Sequence, residues 1–309
     1  MTLTVLEQIV VFMLDIRLWT GRKRLQPEDL AANGIDPDKL PPGTLASLGS
    51  KKVIGPEALA PFFALKREAE KILLATGVRF LGGYAVPAEQ APQLASRLDT
   101  LRDQFDQAKA QLLQHYDQAI QAWIADNPPT WAPVIRAAVE PVAQVDKSLS
   151  FAYTPVAVAP PGTLSDTAEL EQQAEGLYGQ LCHEVRVAAR ALFEQSFVGR
   201  TSITRKALRP IRALRTKLES LAFLDPQVLA AVRVIDETLD RLPSKGPIEG
   251  ADLNMLAGLV GRQLARLGEP VVEEEQEVVE TLDEDAPPRS LPPVYPGPAQ
   301  AALPLAWDF

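Results

Sequence analysis

Two long runs of mostly apolar residues, spaced alternately by four and three positions with one extra step of four, constrain this chain more than any other feature. The first run consists of Leu94, Leu98, Leu101, Phe105, Ala108, Leu112, His115, Ala119 and Ala122. The second consists of Leu170, Ala174, Leu177, Leu181, Glu184, Ala188 and Leu192. This spacing is typical of helices that pack through coiled-coil-like contacts, and each helix would reach roughly 50–60 Å. The simplest arrangement is an antiparallel helical hairpin over residues 87–199, whose arms pair within one chain or between two chains of a homodimer.

Composition agrees with a fold that is mainly α. Aromatic residues make up only 6% of the 309 residues, whereas Ala, Leu, Gln and Glu recur throughout. Straight-chain residues favour helices because they lose little rotamer freedom there. Three shorter apolar stripes with helical spacing predict a three-helix bundle over residues 200–267, in which Asp225 and Pro226 form the cap and first turn of the second helix.

Two regions outside the predicted helical arms contain strand signals. Residues 1–86 are predicted to form a small mixed α/β region. Residues 9–19 are rich in β-branched and aromatic side chains, which favours a strand, although their periodicity also fits a helix. Residues 56–76 are predicted to be a helix, and Gly82 with Gly83 indicates a tight hairpin or a close backbone approach within residues 78–86. Residues 127–162, between the two arms, are predicted to form a small cap with an edge strand at 149–158.

The net charge of −9 is concentrated at the C-terminus. Residues 268–309 contain ten acids and only Arg289 as a base, so removing them from the totals of 40 acids and 31 bases leaves 30 of each. High charge with few apolar residues cannot offset the entropy of ordering, which predicts a disordered acidic tail. The tail finishes in an apolar tip that is predicted to dock a partner. This tip consists of Leu303, Leu305, Trp307 and Phe309.

The sequence contains no recognisable catalytic apparatus. It has no glycine-rich phosphate loop and only two histidines and one cysteine, so we predict neither an enzyme nor a cofactor or metal site. Cys182 and His183 are neighbours on a helix and point about 100° apart, so they cannot act as a nucleophile–base pair. Glu184 lies on the second run, where it is either catalytic or paired with an arginine such as Arg186 or Arg190; we favour the pairing.

A basic stripe is the strongest surface feature. Seven cations and no acid lie between Arg200 and Lys217. On a helix, Arg205, Arg209 and Arg212 fall within about 60° of one another, and Arg215 extends the group. Such a stripe binds nucleic-acid phosphates, serves as a solvated face, or docks an acidic segment, either of a partner protein or of this chain's own tail. Base-stacking aromatic residues are not interleaved with it, which weakens the case for single-stranded nucleic acid.

The chain is expected to be cytoplasmic and to have no membrane partner. A single cysteine fits a reducing compartment. The N-terminal residues lack the basic region and cleavage site of a secretory signal, and no apolar run approaches the roughly 18 residues of a membrane span.

Several segments carry a family resemblance. They are residues 16–25 (IRLWTGRKRL) with 27–30 (PEDL), residues 80–87 (FLGGYAVP) and residues 221–225 (LAFLD). Together they resemble an uncharacterised bacterial family, a domain of unknown function, over roughly residues 3–267. Members occur on chromosomes, prophages and integrative elements, often beside AAA+ ATPases of the MoxR or cobalt-chelatase type. The resemblance implies an accessory role beside such an ATPase. We therefore predict a non-enzymatic adaptor or scaffold, with a nucleic-acid-binding accessory factor as the alternative.

Overall fold

The computed structural model describes residues 2–31, 33–42, 44–159 and 168–269. The described part of the chain is mostly helical, as predicted, with eleven α-helices and eight short strands. The helices are α1 (Thr2–Glu7), α2 (Pro27–Ala31), α3 (Pro56–Leu74), α4 (Ala91–Gln114), α5 (Tyr116–Ala125), α6 (Ala132–Ala137), α7 (Val142–Ser148), α8 (Ala168–Ser196), α9 (Leu208–Ser220), α10 (Pro226–Asp240) and α11 (Gly250–Gly258). The strands are β1 (Ile9–Arg17), β2 (Arg22–Arg24), β3 (Ser50–Lys52), β4 (Val78–Phe80), β5 (Gly83–Pro87), β6 (Ser150–Val156), β7 (Ser202–Ile203) and β8 (Ile248–Glu249). None of the described helices has the length and apolar character needed to cross a bilayer.

A four-stranded antiparallel sheet lies at the centre of the fold, in the order β4-β5-β1-β6. The predicted strand at residues 9–19 is confirmed as β1, and the predicted edge strand at 149–158 is confirmed as β6. The predicted hairpin is also confirmed. Its turn contains Leu81 and Gly82 at φ angles of 48° and 78°, a left-handed conformation that tight hairpins require.

Gly77 connects α3 to the hairpin at a point of very close packing. A Cβ atom at this position would lie 2.4 Å from the carbonyl oxygen of Ala85 and 2.6 Å from Cγ1 of Val86. Only a residue without a side chain lets the end of α3 approach β5 this closely.

The side chains of the sheet belong to two separate hydrophobic clusters, one on each face. Successive residues of a strand point to opposite faces, so Ile9 and Val11 of β1 join one cluster and Phe12 joins the other. The first cluster collects the buried residues of α8, α9, α10 and α11. The second collects those of α3, α4 and α5.

The predicted antiparallel hairpin of the two arms is not what the structure forms. The buried stripe of α4, including Leu98 and Phe105, lies in the second cluster, where α4 packs on α3 and β6. The stripe of α8, including Leu177 and Leu181, lies in the first cluster, where α8 packs on α1 and β4. Alternating apolar spacing specifies that a helix buries one face, but it does not specify the partner. In this fold each of the two helices buries its apolar face against the sheet and against other helices.

The first arm is also broken at His115, between α4 and α5. His115 is exposed, and Tyr116 takes the buried position with its hydroxyl donating to the carbonyl of Glu140 at 2.9 Å. Beyond the break, Ile120 and Ile124 are buried in place of the predicted Ala119 and Ala122. This shift by one or two residues buries larger apolar side chains, which stabilises the fold more than burying alanines would.

The C-terminal helices follow the prediction up to their last turns. Asp225 caps α10, since its side chain accepts a hydrogen bond from the N–H of Gln227 at 2.7 Å. The third predicted helix ends early, because α11 stops at Gly258 and is followed by one π-helical segment, Leu259–Gln263, and a 3₁₀ turn. Gly261 lies against the ring of Phe193 in α8, so this irregular segment approaches α8 closely.

Candidate binding surfaces

Helix α9 presents the basic stripe because one of its faces is apolar and the other is cationic. Leu208, Ile211, Leu214 and Leu218 are buried in the first cluster. Pro210 lies in the first turn, where the backbone N–H that it lacks has no helical acceptor. The apolar side therefore anchors α9, and the arginines point away from the core.

Three of the seven cations in the stripe bind other parts of the chain. Lys217 is buried and pairs with Glu184 of α8, with 2.6 Å between Nζ and Oε2. Arg205 donates to the carbonyl of Pro243. Arg215 donates two hydrogen bonds of 2.8 Å each to the carboxylate of Asp236 in α10 and also contacts Glu219.

Pairing shifts the pKa values of both Arg215 and Asp236. The hydrogen bonds from Arg215 lower the pKa of Asp236, and the same hydrogen bonds raise the pKa of Arg215. The pair therefore remains ionised well below neutral pH, and the charge of Arg215 is compensated.

The remaining four cations face solvent. Arg200, Lys206, Arg209 and Arg212 are exposed and form no ion pair with any residue that the structure describes. We call these four residues the α9 cationic surface. Of the four arginines predicted as a site, Arg209 and Arg212 belong to this surface, whereas Arg205 and Arg215 are held by internal partners. Arg209 and Arg212 are one turn apart, so their side chains are neighbours.

Glu184 is ion-paired as expected, but its partner is Lys217 rather than Arg186 or Arg190. Its second oxygen accepts from Nε2 of Gln180 at 2.8 Å and from the N–H of Arg79 at 3.4 Å. Lys217 in turn donates to the carbonyl of Leu74 at 2.9 Å, so the pair joins α8, α9 and the end of α3. The predicted partners Arg186 and Arg190 instead donate to the carbonyls of Leu267 and Ala265.

The other candidate groups do not converge. His183 is exposed, whereas Cys182 is buried beneath Gly268. Burial raises the pKa of the Cys182 thiol, although the hydroxyl of Tyr178 and the charge of Arg186 oppose the shift. The part of the chain that the structure describes contains no cluster of three metal-ligating side chains. The tip residues Leu303, Leu305, Trp307 and Phe309 lie outside the described residues.

A second cationic surface was only partly visible in the sequence. Residues 22–24 are Arg-Lys-Arg in the sequence, and the structure pairs them with residues 50–52 as the two-stranded sheet β2–β3. The pairing of this basic run with Lys51 and Lys52 joins segments far apart in the chain, so neighbouring residues in the sequence do not predict it.

Comparison with known proteins places the chain in one family. The family model described as "Protein of unknown function (DUF3150)" matches residues 6–263. Neither a curated protein nor a solved structure matches the chain.

Proposed function

This chain belongs to the DUF3150 family of proteins of unknown function, and we propose that it is a non-enzymatic adaptor whose α9 cationic surface docks an acidic segment of a partner protein. The observation that carries this proposal is the sorting of charges along the stripe. Arg215 and Lys217 are paired with acids and Arg205 donates to a backbone carbonyl, whereas Arg209 and Arg212 are exposed and form no ion pair within the described ranges. Complementary charge at a surface speeds and orients association.

The rigidity of the surface supports docking. Helix α9 is anchored by its buried leucines and by the Lys217–Glu184 and Arg215–Asp236 pairs on either side of it. A helix that is already anchored loses little backbone freedom when a carboxylate binds to its exposed arginines. A partner segment with two carboxylates one helical turn or two residues apart would therefore match Arg209 and Arg212.

An AAA+ ATPase of the MoxR type is the partner that we propose first. The family resemblance implies such ATPases as genomic neighbours, and an adaptor beside an ATPase needs a surface for it. The alternative is a nucleic-acid-binding accessory factor, since the same four cations would attract phosphates.

Paired charge reversals test the proposal. Full-length wild-type protein, the Arg209→Glu/Arg212→Glu variant and the matched Arg67→Glu/Arg97→Glu control are each used to capture partners from the native host, and a captured ATPase is then purified and titrated. Arg67 and Arg97 are also exposed helical arginines, so the control changes the net charge equally. We expect at least about a tenfold loss of affinity for the α9 variant only.

Two outcomes contradict the proposal. Equal affinity of both variants would show that the α9 cationic surface is not the docking site. Recovery of nucleic acid that the α9 variant alone loses would support the alternative. In that case the logarithm of the affinity for duplex DNA should fall with the logarithm of salt concentration with a slope no steeper than about −4, because the α9 cationic surface contributes four cations.

A further inference from the structure

The two-stranded sheet β2–β3 separates its cations onto two faces. Arg22 lies opposite Lys52, Lys23 opposite Lys51, and Arg24 opposite Ser50. Residues directly opposite each other in an antiparallel pair share a face, and neighbours along a strand alternate. Lys23 and Lys51 therefore share one face, and Arg22, Arg24 and Lys52 share the other.

The charges on the first face are compensated. Lys51 contacts both carboxylate oxygens of Asp29 at 2.6 Å, and both side chains are largely buried. Lys23 pairs with Glu140, whose other oxygen accepts from the indole N–H of Trp19 at 2.6 Å. These contacts tie the small sheet to the rest of the fold.

The charges on the second face are not compensated. Arg22, Arg24 and Lys52 are exposed and form no ion pair with any residue in the described ranges. The backbone beneath them is held in place, because the carbonyl of Lys52 accepts from the indole N–H of Trp123 at 3.1 Å. The second face is therefore a fixed row of three cations.

This row borders an apolar cleft of about 390 Å³. Arg22 and Lys52 form its rim, and none of the described residues that line it is acidic. The remaining lining residues are Thr20, Ile54, Pro56, Leu59 and Phe63. Ile54 and Leu59 are buried beneath it, whereas the ring of Phe63 is 40% exposed at the cleft. An apolar floor with a cationic rim selects a ligand that combines an apolar group with negative charge.

We propose that this cleft binds an extended acidic peptide segment of a partner protein, with an aromatic side chain against Phe63 and carboxylates on Arg22, Arg24 and Lys52. The aromatic group would complete the contacts of the exposed ring. Arg22 and Arg24 are two residues apart on one strand, roughly 7 Å, which equals the repeat of alternate side chains in an extended peptide. Arg24 lies beyond the cleft lining, so the occupant is longer than the cleft. This surface is separate from α9 and does not depend on the function proposed there.

Fluorescence anisotropy of the full-length protein with short labelled peptides tests the site. The probe is Ser-Trp-Glu-Ser-Glu-Ser, and two matched peptides replace either the tryptophan by serine or both glutamates by glutamine. The protein variants are Arg22→Glu/Lys52→Glu and Phe63→Ser, with Arg97→Glu and Arg209→Glu/Arg212→Glu as controls. All these positions are exposed, so circular dichroism is expected to show wild-type folding throughout.

We expect saturable binding of the probe that weakens at least about tenfold in both cleft variants and with both matched peptides, but not in the controls. Absence of saturation up to about 1 mM peptide would overturn the proposal. Equal binding of the serine-substituted peptide would also overturn it, because the cationic row alone would then explain the binding. Loss of binding only in the Arg209→Glu/Arg212→Glu variant would place the peptide on α9 and contradict this assignment.

Discussion

Replacing Lys217 by methionine removes the cation at the junction of α8, α9 and the end of α3. Methionine retains most of the apolar stem but cannot pair with Glu184 or donate to the carbonyl of Leu74. The side chains of Lys217 and Glu184 are only 10% and 18% exposed, so solvent cannot fully replace the lost partner. Glu184 would remain as a largely buried carboxylate supported by Gln180 and by the N–H of Arg79.

The expected loss of unfolding free energy is about 3 kcal/mol. Breaking a buried ion pair by removing one partner costs roughly 3–5 kcal/mol. The lower end applies because Glu184 keeps two hydrogen bonds and some contact with solvent. A second change, Glu184→Gln, removes the orphaned charge, and the double variant should be less destabilised than the sum of the single variants by about 1–3 kcal/mol.

Urea unfolding at pH 7, followed by circular dichroism, measures these free energies. The control is Lys71→Met, which removes a mostly exposed pair with Glu68 in α3 and should cost less than about 1 kcal/mol. A Lys217→Met variant as stable as the control would refute the reasoning. Strict additivity of Lys217→Met and Glu184→Gln would also refute it, because the two side chains would then not interact.

Three further changes test other contacts. Gly77→Ala should lower the unfolding free energy by about 1–3 kcal/mol because its Cβ overlaps β5, whereas Gly179→Ala, in open space on α8, should raise it by up to about 1 kcal/mol; urea unfolding measures both. Asp236 has a lowered pKa in the folded state, so its pair with Arg215 contributes stability above about pH 4 that is lost as the pH falls through the folded pKa; Asp236→Asn should flatten this acid-side loss in denaturation at successive pH values. Cys182 is buried and has a raised pKa, so a thiol reagent should react with it at neutral pH far more slowly in native protein than in urea, and equal rates would contradict its burial.

Local patterns were sufficient to predict much of the secondary structure. The strand at β1, the hairpin that contains Gly82, and the cap at Asp225 are each predicted from a few neighbouring residues, whereas the involvement of Leu81 in the turn is not. Their physical causes are local, since they depend on side-chain branching, on left-handed backbone angles and on unpaired N–H groups at a helix start. The prediction of one continuous helix through His115 is wrong. The four-and-three spacing continues across this residue, so the pattern does not indicate that α4 ends before Tyr116.

Residue spacing predicts that each long helix buries one face, but only the packing of distant segments shows what that face contacts. Most of the predicted stripe positions in α4 and α8 are buried, although Ala188 is exposed and Ala189 is buried in its place. The two stripes lie in different clusters rather than against each other. The same division holds for charge, because the sequence shows seven cations around α9 and only the fold shows that Lys217 meets Glu184 and Arg215 meets Asp236. The spacing of apolar residues is a local property, since it depends only on the repeat of one helix or strand. Contacts between helices and between opposite charges depend on the distance between segments that are far apart in the chain, which only the tertiary structure sets.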